Sequence, residues 1–239
     1  MTTLLAFDTA TERMSIALSQ GGRVWSRESV GGPQASASLI PAIMAVLEEA
    51  GVTLAQLDAI AFGRGPGAFT GLRTACSVAQ GLAFGANKPV LPVDTLLTVA
   101  EEAREGDGEQ SVWVAMDARM NEIYAAHYRF ADGRWTTLVA PFLTQVEPLN
   151  QRWDDAPPAV VAGSALAAFA DLRMHDARQL PDASPHARAM LPLAMALWRE
   201  GGAVDAALAI PLYVRDKVAQ TTAEREAARI AKEHAEAAR

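Results

Sequence analysis

The chain has 239 residues, half of them hydrophobic and 21% charged, which is ample apolar material for a large core and the wrong composition for a disordered chain. Lys and Arg total 21 against 28 Asp and Glu, a net charge of −7 that repels phosphate backbones and argues against stand-alone binding of RNA or DNA. One cysteine, Cys76, and four scattered histidines, His127, His175, His186 and His234, exclude an intrachain disulfide and provide no HxxxH or HExxH pair for a helix-borne metal site.

The N-terminus reaches Asp8 with no basic segment before it, unlike a signal peptide. The longest apolar runs, 39–47 and 189–198, contain proline and are far shorter than the roughly 18 residues of a bilayer span, so a cytoplasmic protein is expected. Residues 4–7 form an apolar run that predicts a strand buried on both faces and ending at Asp8. Residues 14–19 alternate, predicting a half-buried strand, and Gly21-Gly22 turns it back into a third strand from Arg23. Helical spacing of Leu39, Ile40, Ile43, Met44 and Leu47 follows, stopped at Gly51. A strand at 57–62 then enters a glycine-rich segment, 63–71, and helices over 72–86 and 96–104 flank a strand at 89–93. Strands interleaved with crossover helices predict an α/β lobe over 1–105, closed by the polar stretch 105–110.

The second lobe, 106–220, restarts the pattern: an apolar strand 112–116 ending at Asp117, a return strand 122–130, and the hairpin signal Asp132-Gly133. Both lobes begin with an apolar strand ending in Asp, a polar turn and a return strand, a weak internal duplication. Residues 159–163 read as strand then turn, and 187–200 as a helix in spite of Pro192. The tail, 221–239, has a Thr221-x-x-Glu224 capping box, i,i+4 ion pairs and only Ile230 as a large apolar residue, which predicts a solvent-facing helix.

Three stretches carry candidate chemistry. Asp8-Thr9-Ala10-Thr11 ends a buried strand, where Asp and Thr either present a carboxylate and hydroxyls to a metal-bound phosphate or simply close a turn. Gly63, Gly65, Gly67 and Gly71 lie between a strand and a helix, which suits either close backbone approach to a ligand or a tight turn with Thr70 as the helix cap. Arg73 in the first turn opposes the helix dipole and is expected to face a partner or ligand. Asp117 and Glu122 are either an acid–base pair or a turn cap plus a solvated residue. Gly163-Ser164 either approaches a base or starts a helix, and Cys76 is expected in the core.

In order, Asp8-Thr9-Ala10-Thr11, the run from Gly63 through Gly65-Pro66-Gly67-Ala68-Phe69-Thr70-Gly71-Leu72 to Arg73, Asp117-Ala118-Arg119 with Glu122-Ile123-Tyr124, and Pro211-Leu212-Tyr213-Val214-Arg215 resemble the TsaB (YeaZ) family over roughly residues 3–218. The resemblance implies an α/β, two-lobed actin-like fold and a non-catalytic role in threonylcarbamoylation of adenosine 37 in tRNAs. It implies pairing with a TsaD homologue and action with the ATPase TsaE, a homodimer when alone, and contact with tRNA only indirectly. The contact surface expected from it is Leu39, Ile43, Met44 and Leu47 of the first helix with Arg73, Ser77 and Gln80 of the second. Asp8, Thr9, Gly65, Gly67 and Thr70 would lie near any nucleotide, with ATP or ADP expected only at an interface shared with the partner. TsaD itself carries an HxxxH after the strand that here is 89–93; Thr95 and Val99 stand in its place, which disfavours a metallopeptidase. An actin-fold phosphotransferase is the alternative, disfavoured by the bulk of Asp117-Ala118-Arg119 where kinases of the superfamily have glycine. Ala35 stands where many members have histidine.

Overall fold

The computed structural model describes residues 1–215, so the expected tail helix over 221–239 lies outside the described residues. Ten strands among them form two five-stranded mixed sheets. In the first, β1 (Thr3–Asp8) is central. β2 (Arg13–Gln20) and β3 (Arg23–Val30) extend it antiparallel on one side; β4 (Ala59–Gly65) and β5 (Val90–Asp94) extend it parallel on the other. The second sheet is built the same way around β6 (Gln110–Asp117), with β7 (Ile123–Ala131) and β8 (Arg134–Thr144) antiparallel and β9 (Val160–Ala162) and β10 (Arg178–Leu180) parallel. Counted outward from the centre, the strand orders are identical. The alike strand starts in the sequence are thus the visible part of a full duplication, and the fold is the expected two-lobed actin-like one.

Local chemistry sets the turns. Gly21 and Gly22 (φ 59° and 82°) join β2 to β3, and Asp132 and Gly133 (φ 52° and 75°) join β7 to β8. Each supplies the two successive left-handed positions of a type I′ hairpin turn. α1 (Ala35–Ala50) ends at Gly51 with φ 67°, and α2 (Phe69–Ala86) at Asn87 with φ 52°, the left-handed stop that releases the last helical carbonyls.

α1 and α2 cover one face of the first sheet, where Leu39, Ile43, Leu47, Cys76 and Ala79 meet Leu5, Phe7, Ile16 and Phe62. The other face is covered from a distance. α6 (Ala187–Arg199) lays Ala187, Met190, Leu191 and Ala194 on Leu4, Ala6, Ala17 and Leu91, while α3 (Thr95–Glu102) turns Leu96, Val99 and Ala100 to Val112, Val114 and Ala126 of the second sheet. The helix after each fifth strand thus crosses to the other lobe, and α3 and α6 pack together. A division at residue 105 therefore separates the sheets but not the helical layers, because apolar faces of both helices are buried across it.

β2 departs from the half-buried expectation. Met14, Ile16 and Leu18 face the α1 side and Ala17 the α6 side, and Ser15 Oγ accepts the Ala187 N–H at 2.8 Å, so its centre is buried on both faces. β10 and α4 (Val146–Asp155) had no clear signal: one is three residues long, and the other buries little beyond Leu149 and Trp153. α5 (Ala165–Ala168), four residues long, stands where the first lobe has the eighteen-residue α2. No helix among the described residues is long and apolar enough to cross a membrane.

Candidate functional site

Asp8 ends β1 at 1% exposure, with Thr9 fully buried beside it. The Ala10 N–H donates to Asp8 Oδ1 (2.6 Å), and the Thr95 hydroxyl donates to Oδ2 (2.9 Å) while accepting the Gly65 N–H (3.1 Å). Burial pushes the Asp8 pKa up to about 6, against the pull of those two hydrogen bonds. Thr9 Oγ1 donates to the Gly71 carbonyl at 2.7 Å. The glycines close around this turn. A Cβ on Gly63 would overlap the Asp8 carboxylate, one on Gly67 would strike Ala10, and one on Gly71 would strike the Thr9 carbonyl. Gly65, at φ 113°, is pressed against Leu212 and Leu72. The close backbone approach predicted for the loop is real, but what it approaches is the chain's own first turn and C-terminal segment.

Two expectations change here. Thr70 is not the helix cap: α2 starts at Phe69 with Ala68 as its N-cap residue, because the Ala68 N–H is anchored to the Ala10 carbonyl at 2.8 Å. Asp8 and Thr9 do not line the cleft between the lobes, whereas Gly67 does. That cleft has a volume of about 860 Å³. Among the described residues its three arginines are each held by a carboxylate: Arg13 by Glu28 (2.6 Å), Arg119 by Asp117 and Glu12 (3.3 and 3.4 Å), Arg215 by Glu122 (2.6 Å). Polyphosphate recognition draws on free cations or open amides, and these three guanidinium groups already have carboxylate partners.

Asp117 caps its turn by accepting the Arg119 N–H at 2.8 Å. Glu122 is half-buried and holds Arg215; that ion pair carried no signal in the sequence. Ser164 starts α5, and its hydroxyl accepts the Asp117 N–H at 3.1 Å. Cys76 is buried as expected, with its thiol 2.7 Å from the Ala209 carbonyl. Thr95 and Val99 are occupied as well, the first by Asp8 and the second by the second lobe's core.

The expected contact surface divides. Leu39, Ile43 and Leu47 are buried in the lobe's own core and present no surface to a partner; residues four apart on a helix share a face, and this row faces the sheet. The adjacent row, Ile40 and Met44, is exposed at 45% and 47%. Helical spacing within the 39–47 run was the signal that could have separated the two. On α2, Arg73, Ser77, Gly81, Phe84 and Gly85 are exposed, Phe84 at 86%. Arg73 lies 3.8 Å over the Phe69 ring, and its Nε donates to the Tyr213 hydroxyl at 3.2 Å. Gln80 turns partly inward, donating to the Ala209 carbonyl at 2.9 Å.

A family profile described as TsaD, tRNA N6-adenosine threonylcarbamoyltransferase, matches residues 31–223. The chain is 36% identical over 221 residues to the tRNA threonylcarbamoyladenosine biosynthesis protein TsaB of Escherichia coli (strain K12), covering 90% of this chain and 96% of that protein. The Haemophilus influenzae protein of the same name is 34% identical over 225 residues, covering 90% and 94%. Among solved structures, YeaZ from Pseudomonas aeruginosa superposes with a TM-score of 0.81 at 39% identity, over 89% of this chain and all of that one.

Proposed function

This chain belongs to the TsaB (YeaZ) family, and on that premise we propose that it is a cytoplasmic, non-catalytic subunit in the biosynthesis of threonylcarbamoyladenosine on tRNA. It pairs with a TsaD homologue through the outer face of α1 and α2, keeps that enzyme competent together with the ATPase TsaE, and meets tRNA only through the complex.

The observation that carries the pairing is the exposed face itself. Ile40, Met44 and Phe84 stand in solvent beside Ser77, Gly81 and Gly85, and among the described residues a Cβ on either glycine would meet nothing beyond its own helix within 4 Å. A glycine inside a helix costs about 1 kcal/mol relative to alanine. Among the described residues no contact offsets that cost, whereas a second helix approaching closely would. Without the partner, the same face pairs two copies of this chain about a twofold axis.

Co-purification with the TsaD homologue tests it. Met44→Glu and Gly81→Leu are expected to weaken pairing at least tenfold while the circular dichroism spectrum stays that of the parent. Undiminished pairing by both variants refutes the α1/α2 assignment.

The non-catalytic role is supported by the enclosure of Asp8 and by the engaged arginines of the cleft. Titration calorimetry of the isolated protein with ATP and magnesium is expected to give no micromolar binding; binding with turnover would make the chain a phosphotransferase instead.

A further inference from the structure

We infer that residues 209–215 form a strap that sets the opening of the interlobe cleft and links it to the outer face of α2. The strap begins on the first lobe. The Ala209 carbonyl accepts both Cys76 Sγ and Gln80 Nε2 from the middle of α2. The Leu212 N–H donates to the Arg64 carbonyl at 2.7 Å, and the Tyr213 ring centroid lies 5.2 Å from that of Phe69. Within two residues the chain is in the second lobe: Val214 packs on that lobe's core, and Arg215 Nη2 donates to the Ala118 carbonyl (3.0 Å) and the Glu122 carboxylate (2.6 Å).

Arg215 fastens an unusual turn. Arg119, Met120 and Asn121 have φ of 61°, 55° and 62°, and each non-glycine residue in this conformation costs about 1 kcal/mol or more. Opposing that cost are Asp117, which takes the Arg119 N–H, the 3.1 Å bond from the Glu122 N–H to the Arg119 carbonyl, and the Arg215 guanidinium on the Ala118 carbonyl. Arg119 in turn reaches Glu12 of the first lobe at 3.4 Å. One guanidinium therefore supports two bridges between the lobes: its own strap and the turn that carries Arg119.

The outer side of the segment completes the link. Leu208, Ile210 and Tyr213 are exposed at 61%, 66% and 44%, and Tyr213 shares Arg73 and Phe69 with the first turn of α2. A chain that covers α2 presses on the same residues. Its effect on the cleft rests on the pairing proposed above; the strap within the isolated chain does not.

Amide hydrogen exchange on the full chain, read at residues 117–123, tests both. The hydrogen bond and ring contact of Tyr213 are both with the first lobe, yet Tyr213→Ala is expected to speed exchange at 117–123 about tenfold, as Arg215→Ala does. The double variant is expected to be no faster than Arg215→Ala alone, because both act through one strap. Wild-type rates at 117–123 in Tyr213→Ala, or effects that multiply in the double variant, overturn the strap. Should Tyr213→Ala lose protection in β1 and β6, Tyr213→Phe, which breaks only the hydrogen bond to Arg73, is expected to give about a threefold increase, and no increase overturns the strap equally. With the TsaD homologue added, a change at both α2 and 117–123 supports the link. Protection of α2 with 117–123 unchanged overturns the link but not the pairing; no change at α2 overturns the pairing and leaves the strap to the isolated-chain variants.

Discussion

Asp8 occupies the place where a metal-bound phosphate was one expectation, and its carboxyl is built into the fold. Both its oxygens are engaged by Ala10 and Thr95, and the absence of a side chain at Gly63 makes room for the carboxyl. Its pKa stands at about 6 folded against 3.8 for the ordinary group. A raised carboxyl pKa means that between those values the folded chain holds a proton the unfolded chain has released. Its contribution to stability is therefore full below about pH 4 and is lost as pH rises to 6, a swing of about 3 kcal/mol at roughly 1.4 kcal/mol per pH unit. Asp8→Asn, which stays neutral and matches the carboxyl in shape, is expected to remove that slope. Thermal melts at pH 4.5 and pH 7.5 check it: the variant should gain on the wild type as pH rises, and parallel profiles would show that Asp8 does not titrate in this window. Sequence alone placed Asp8 at a strand end but left its role open, because the hydroxyl that engages it lies 87 residues away.

At the scale of the element, two of the three glycines of α2 have opposite requirements. Gly71 lies against the Thr9 carbonyl, where a Cβ has no room, whereas Gly81 faces open space. Gly71→Ala is expected to destabilise the isolated protein by about 1–3 kcal/mol through overpacking. Gly81→Ala should stabilise it by roughly 0.5–1 kcal/mol through helix propensity. Urea denaturation of the two variants measures both, and equal signs would remove the contrast on which the outer-face assignment stands. The glycines were plain in the sequence, but what each one touches was not, since Thr9 and Ala10 reach the loop only when β1 and β4 pair. The same holds for α1. Its apolar run predicted the helix and its surplus of hydrophobic surface, while the sheet decided that Leu39, Ile43 and Leu47 turn inward and Ile40 and Met44 outward.

At the scale of the molecule, the exchange of α3 and α6 makes the lobes interdependent. A fragment ending at residue 105 would keep all five strands of the first sheet and lose α6, exposing Leu4, Ala6, Ala17 and Leu91 on one face, and Leu96 and Val99 on α3 would lose the second sheet. Exposure of several large aliphatic side chains costs about 1.5–3 kcal/mol apiece, comparable in sum with the whole stability of a small domain. We expect the 1–105 fragment to show no cooperative unfolding and no dispersed amide spectrum. A folded fragment would mean that α6 is dispensable to the first lobe. The net charge of −7 belongs to this scale too: it disfavours a grip on tRNA by the chain alone and is compatible with work in tRNA modification through a partner.

By itself the sequence determined the class of fold and every element but β10 and the short helices of the second lobe: apolar runs for the central strands, Gly-Gly and Asp-Gly for the hairpins, helical spacing for α1, and the repeated strand–Asp–turn start that foretold the duplication. These signals are local, carried by residues within a turn or a strand of one another. Tertiary structure alone decided that the glycine loop packs on Asp8 and Thr9, that α3 and α6 trade lobes, and that Arg215 holds Glu122 and the turn behind it. Each depends on groups dozens of residues apart, whose proximity is fixed by sheet pairing and apolar burial, and no spacing along the chain encodes it.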